Sequence, residues 1–176
     1  MNASLTGHLV FSTLHTNDAV GAVPRLIDLG VKPQILGPAL TLVIAQRLVR
    51  ILCPYCKIEK EISETLKEEI EKFLKDLPER VDRKPFKNYK IYQAGKCDKC
   101  AQLGYSGRTS IIELFVVSPE IEQLIYSNPN EIALKELARK QGMVSMQEDG
   151  ILKVLSGITD FKEIERVTGP IPFKDL

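Results

Sequence analysis

The chain has 176 residues, 44% of them hydrophobic, enough for one domain with an excursion or for two small domains. Its 24 Lys and Arg offset 23 Asp and Glu to leave a net charge of +1, which argues against a polyanion bound through bulk charge. Aromatics are only 6% and tryptophan is absent, so base stacking on single-stranded nucleic acid is disfavoured as well.

The first ten residues, MNASLTGHLV, carry no positive n-region and no cleavage site, and no apolar run reaches the roughly 18 residues of a membrane span. The chain is therefore expected to be cytoplasmic. Residues 7–14, GHLVFSTL, are short and apolar at their centre and predict a buried strand of a parallel sheet. A polar cluster follows, with Ser12, Thr13, His15, Thr16 and Asn17. In open α/β sheets this is where ligands bind, beyond a strand's carboxyl end. The plainer reading is local capping around a half-buried histidine.

Asn17 or Asp18 can cap a helix over 19–29 that stops at Gly30, with Pro24 kinking it or delaying its start. Residues 38–52, PALTLVIAQRLVRIL, predict a long apolar helix with Pro38 in its first turn. It leads into LCPYCK, where Cys53 and Cys56 lie three positions apart, a spacing repeated by Cys97 and Cys100 in KCDKCA. A redox dithiol needs only one such pair, and a disulfide framework belongs to exported chains. Two pairs with no cysteine left over suit one closed tetrahedral site, and soft thiolates favour zinc. Pro54 and Gly95 help the two turns curl. Such a site leaves no coordination position for water, so its role is structural.

Between the pairs, residues 57–96 are polar and charged and promise little core of their own. They hold an amphipathic helix over 63–77, with Leu66, Ile70, Phe73, Leu74 and Leu77 on one stripe, and a strand at NYKIYQ. GYSGRTSIIELFVV reads as a glycine turn and a strand. Four helices follow. PEIEQLIYS is short. The second has an Asn130 cap and a Gly142 stop. The third opens with a Ser145–Glu148 capping box, and the fourth with Asp160 and Glu163 in a similar arrangement. The tail from Gly169 is expected to be loose.

The stretch TGHLVFSTLHTNDA resembles the histidine box of the secretion ATPase superfamily, which drives type II secretion and type IV pilus assembly. The resemblance continues in order through GAVPRLIDLGV, AQRLVR, LCPYC, CDKC, GYSGRTSIIEL, QEDGILKVLSGIT and IERVT. It covers nearly all of the chain outside residues 57–96. Retraction ATPases of that superfamily share the histidine box but lack the tetracysteine insert, so Cys53, Cys56, Cys97 and Cys100 point to the assembly or secretion branch.

The resemblance implies an α/β fold, the C-terminal part of a RecA-like ATPase core with a zinc-binding insert and a helical C-terminal region. The implied boundaries are 1–52 for the partial core, 53–100 for the insert, 101–118 for a return strand and 119–176 for the helices. It further implies a hexameric ring that binds ATP with Mg²⁺ through a Walker A loop, a Walker B carboxylate and an acidic box, all upstream of the histidine box. No G-x-x-x-x-G-K-[ST] pattern occurs in the chain, so phosphates lack their cradle and the chain alone is expected to be inactive.

By the same resemblance His15 lies near the γ-phosphate, flanked by Thr13 and Thr16. Arg108 approaches the nucleotide base or a neighbouring segment, or makes a plain salt bridge with Glu113 or another acid. Arg47 and Arg50 contact a neighbouring subunit or sit on a solvated helix face. The implied partners are further copies of the chain and an inner-membrane platform protein, with no nucleic acid, at a cytoplasmic site peripheral to that membrane. The rival reading is a self-standing zinc-ribbon module that binds protein or nucleic acid. The glutamate-rich insert and near-zero net charge weigh against it.

Overall fold

A computed structural model describes residues 2–127 and 129–174. The fold is mixed helix and sheet. In chain order it runs α1 (Asn2–Leu5), α2 (Ala22–Asp28), α3 (Pro33–Ala39), β1 (Leu42–Leu52), β2 (Ile58–Lys60), α4 (Glu64–Asp76), β3 (Ile91–Gln93), β4 (Tyr105–Val116), α5 (Pro119–Ser127), α6 (Glu131–Lys140), α7 (Met146–Leu155) and α8 (Phe161–Thr168). Single 3₁₀ turns lie at Lys84–Phe86 and Asp98–Cys100. β1 pairs with β4 and β2 with β3. Among the described residues no helix is long and apolar enough to cross a membrane.

The chain divides into two compact units, one reaching to Ala45 and including Glu113–Val144, the other comprising Gln46–Ile112 and the residues from Ser145 onward. β1 and β4 contribute residues to both.

In the first unit α3 packs on α5, and the fully buried Val20, Val23, Leu36, Phe115, Ile121, Ile125 and Leu134 form the core. Each such side chain contributes about 2 kcal/mol relative to exposure. α2 starts at Ala22, later than expected, because Pro24 is tolerated only in a first turn. Asp18 still helps to start it, since its Oδ1 accepts the Gly21 N–H at 2.8 Å. α6 is capped by Asn130 and closes at Gly142, whose φ is 91°.

Two expectations fail in this half of the chain. Residues 8–16 form no strand and run exposed, with Leu9 at 83% and Phe11 at 88%. None of the described strands pairs with them, and only the His8 N–H, which donates to Ala3 O, has a backbone partner among the described residues. Residues 42–52 are strand β1, not helix. Val43, Ile44, Val49 and Ile51 are β-branched, and their stiff side chains suit a pleated surface. β4 supplies the partner: Cys53 N–H donates to Gly104 O at one end, and Val117 N–H to Thr41 O at the other, so the two strands run antiparallel.

In the second unit β2 and β3 are antiparallel, with Ile58 opposite Gln93, Glu59 opposite Tyr92 and Lys60 opposite Ile91. α4 matches expectation closely: Ser63 caps it by accepting the Leu66 N–H, Leu66 and Ile70 are buried, and Leu77 follows as C-cap. α7 carries the Ser145–Glu148 capping box and packs on α8. The tail is not loose. Phe173 is buried between Phe73 of α4 and Phe161 of α8, in edge-to-face contacts at 5.9 and 5.4 Å. Gln147 Nε2 donates to Thr168 Oγ1 and to Pro170 O, and Lys174 N–H to Glu69 Oε2.

Candidate metal centre

The four cysteines converge in the second unit. Cys53 follows the end of β1 and Cys56 sits in the turn before β2, where Cys56 N–H and Lys57 N–H both donate to Cys53 O. Cys97 and Cys100 repeat the turn, with Cys100 N–H and Gln102 N–H donating to Cys97 O. Ala101 and Gln102 complete it in the left-handed region, at φ 50° and 62°.

The two turns close face to face because glycine lets them. A Cβ on Gly95 would lie 1.9 Å from Cys56 O, so no side chain fits there. Gly104, at φ 78°, brings its carbonyl to Cys53 N–H and its own N–H to Cys100 Sγ at 3.2 Å.

All four sulfurs lie within 4.8 Å of one another. The separations are 3.8 Å for Cys53–Cys97, 3.7 Å for Cys56–Cys100 and 3.6 Å for Cys97–Cys100. Four sulfurs placed tetrahedrally about an ion at about 2.3 Å would be about 3.8 Å apart. The cysteines are free thiols, and the donor set fits one tetrahedral metal ion. Burial and the neighbouring sulfurs push the Cys56 thiol up to about 12. Burial also acts to raise Cys100, but the Gly104 N–H and the other contacts outweigh it and bring that thiol down to about 6. The Gly104 N–H thus favours a thiolate within the cluster, and a bound cation would hold all four sulfurs as thiolates.

The centre is tied into its unit on several sides. Leu52 N–H donates to Ile158 O at 2.8 Å. Lys57 Nζ donates to Gly157 O at 3.1 Å and lies 4.3 Å from the Tyr92 ring centre. On the surface Lys99 Nζ sits 3.6 Å from the exposed Tyr55 ring.

The remaining predicted residues divide between the units. In the first, Thr13 and His15 are exposed on the irregular segment, and Thr16 Oγ1 donates to Asp18 O at 2.9 Å. In the second, Arg47 is exposed on β1. Arg50 is anchored: its Nε and Nη2 donate to Glu163 Oε2 at 2.9 and 2.6 Å, and its guanidinium lies 3.9 Å over the Tyr105 ring. Arg108 is exposed on β4, and among the described residues no acid pairs with it.

Sequence reasoning missed Glu163. Asp160 caps α8 by accepting the Glu163 N–H, but the Glu163 side chain does not turn back to complete a capping box. It accepts instead from Arg50 and from Arg166 Nε and Nη2. Burial alone would raise its pKa, yet the bonds from Arg166 and Arg50 hold it at about 2. The nearby Tyr105 hydroxyl donates to Asp160 at 2.7 Å; burial and that bond raise its pKa. The available signal was the Glu163–Arg166 spacing on one helix face.

Comparison with known proteins adds a family. The type II/IV secretion system protein family matches residues 1–166. The chain is 44% identical over 168 residues to a type II secretion system protein HxcR of Pseudomonas aeruginosa, a match that covers 96% of the chain and 30% of that relative. It is 45% identical over 168 residues to a type II secretion system ATPase E of Vibrio cholerae, covering 96% and 31%. A type IV pilus assembly ATPase PilB of Thermus thermophilus is 40% identical over 163 residues, covering 92% and 17%. The chain thus spans less than a third of the length of these curated relatives.

Proposed function

The chain belongs to the type II/IV secretion system protein family, and on that premise we propose that it is the C-terminal part of a hexameric motor ATPase for type IV pilus assembly or type II secretion. The observation that carries this reading is identity of 40–45% across almost the whole chain to relatives named as ATPases of both systems.

In this reading the four cysteines hold one structural zinc ion, which needs four soft ligands and no open position. Residues 53–100 are a zinc-braced insert in a RecA-like core. The ion supplies no chemistry; the chain's own residues do the positioning. His15 senses the γ-phosphate of ATP held with Mg²⁺ by parts of the motor outside this chain, with Thr13 and Thr16 placing it. Arg108 meets the nucleotide, and Arg47 and Arg50 contact a neighbouring subunit. The motor works at the cytoplasmic face of the inner membrane on a platform protein there.

The test is ATP turnover with excess Mg²⁺. The chain alone is expected to stay at background, while the full-length motor turns over. Changing His15→Ala in the full-length motor should lower turnover far more than it weakens ATP binding, because a γ-phosphate sensor acts as charge develops in the transition state. Turnover by the isolated chain that is lost on His15→Ala would contradict the reading, as would a full-length protein with no turnover.

A further inference from the structure

The second unit carries an open cleft of about 460 Å³ lined by Leu48, Arg50, Arg108 and Arg166. Its foundation is the fully buried Glu163. The Glu163 carboxylate accepts Arg50 N–H at 2.8 Å, Arg50 Nε and Nη2 at 2.9 and 2.6 Å, and Arg166 Nε and Nη2 at 2.8 and 2.7 Å. Each guanidinium spends its Nε edge on Glu163, and among the described residues the Nη1 groups have no hydrogen-bond partner, which leaves them to meet a ligand. Tyr105 backs Arg50 at 3.9 Å, and Asp160, an acid nearby, accepts from the Tyr105 hydroxyl and the Glu163 N–H. Arg108 is exposed and pairs with no acid among the described residues.

We propose that this cleft binds a phosphate dianion, either as a soluble phosphate or ester or as a lipid headgroup. Arg50 and Arg166 share the Glu163 carboxylate and Arg108 pairs with no acid among the described residues, so the lining carries a surplus of positive charge that the nearby Asp160 only partly offsets. Phosphate offers several oxygens to the three guanidinium groups at once, whereas a carboxylate offers only two. Planar guanidinium forks suit the tetrahedral oxygens of phosphate. Glu163 and Tyr105 fix two of the three arginines during folding, so less side-chain freedom is lost on binding. Leu48, 59% exposed, offers an apolar edge for whatever group the phosphate is attached to. The inference shares Arg50 and Arg108 with the motor reading, but it concerns the cleft of the chain by itself. Its test reads binding, so it can fail while the motor reading holds.

Inorganic phosphate is titrated into the chain at constant ionic strength in chloride, and amide NMR shifts are followed. The chain is also sedimented with phosphatidic acid vesicles and with phosphatidylcholine vesicles. Saturable shifts at the cleft, or sedimentation with phosphatidic acid alone, are expected, and which of the two occurs identifies the source. Arg108→Gln should weaken binding about tenfold, the worth of one charged hydrogen-bonding contact. Arg80→Gln removes equal charge from an exposed site elsewhere in the unit and should change it less than about twofold in salt.

Glu163→Gln separates preorganisation from charge: charge alone predicts tighter binding, and the brace predicts weaker binding. If Glu163→Gln does not fold, Arg108→Gln, at an exposed position, still decides. Neither probe binding, Arg108→Gln and Arg80→Gln weakening binding alike, or Glu163→Gln folding normally and binding more tightly would overturn the proposal.

Discussion

Five hydrogen bonds converge on the two buried oxygens of Glu163 and hold its pKa at about 2, well below the ordinary glutamate value. A carboxylate depressed on folding contributes stability that is fully present above its unfolded pKa and is lost as pH falls through the folded one. The window therefore runs from about pH 5 down to pH 2. The contribution is on the order of 2 kcal/mol, discounted because Arg50 and Arg166 are 41% and 55% exposed. In urea unfolding Glu163→Gln should be less stable than the parent at pH 7, and the gap should close towards pH 2. A gap that does not change with pH would contradict this. The cysteines were legible in the sequence because their spacing has few other uses. Glu163 was not, because a glutamate three residues after an aspartate reads as a capping partner, and nothing local shows that Arg50 lies opposite.

Among the elements, α4 and the four C-terminal helices could be read from caps and apolar stripes, which are local signals. β1 could not. A run of apolar residues fits a buried helix and a strand equally well until its partner is known, and here β4 decides. The tail is illegible for the same reason, since two of its apolar residues, Ile171 and Phe173, find their pockets only in the folded unit. That packing makes the tail a strap joining α4 to α8. Phe173→Ala should cost about 3 kcal/mol, in the usual range for removing a buried phenyl ring. Hydrogen exchange should show lost protection across Glu64–Asp76. Unchanged protection there would mean that α4 is held by its own contacts and the strap is incidental.

At the scale of the whole molecule, the order of motifs along the chain was enough to place it in its family. What that order does not reveal is how residues 8–16 are covered, because strand pairing is a property of partners and not of the segment. Leu9, Val10 and Phe11 are exposed together on an unpaired backbone, an arrangement that invites association. Light scattering should therefore show concentration-dependent self-association of the chain, relieved by a Leu9→Ser, Phe11→Ser double substitution. A monomer across the whole concentration range would contradict this.

Four thiols that lie far apart in sequence come together in the second unit as one candidate metal centre. Native mass spectrometry of the intact chain, purified without added metal, tests it most directly. One zinc ion per chain is expected, absent after Cys97→Ser. A chain that carries no metal, or that keeps its zinc after Cys97→Ser, would contradict it.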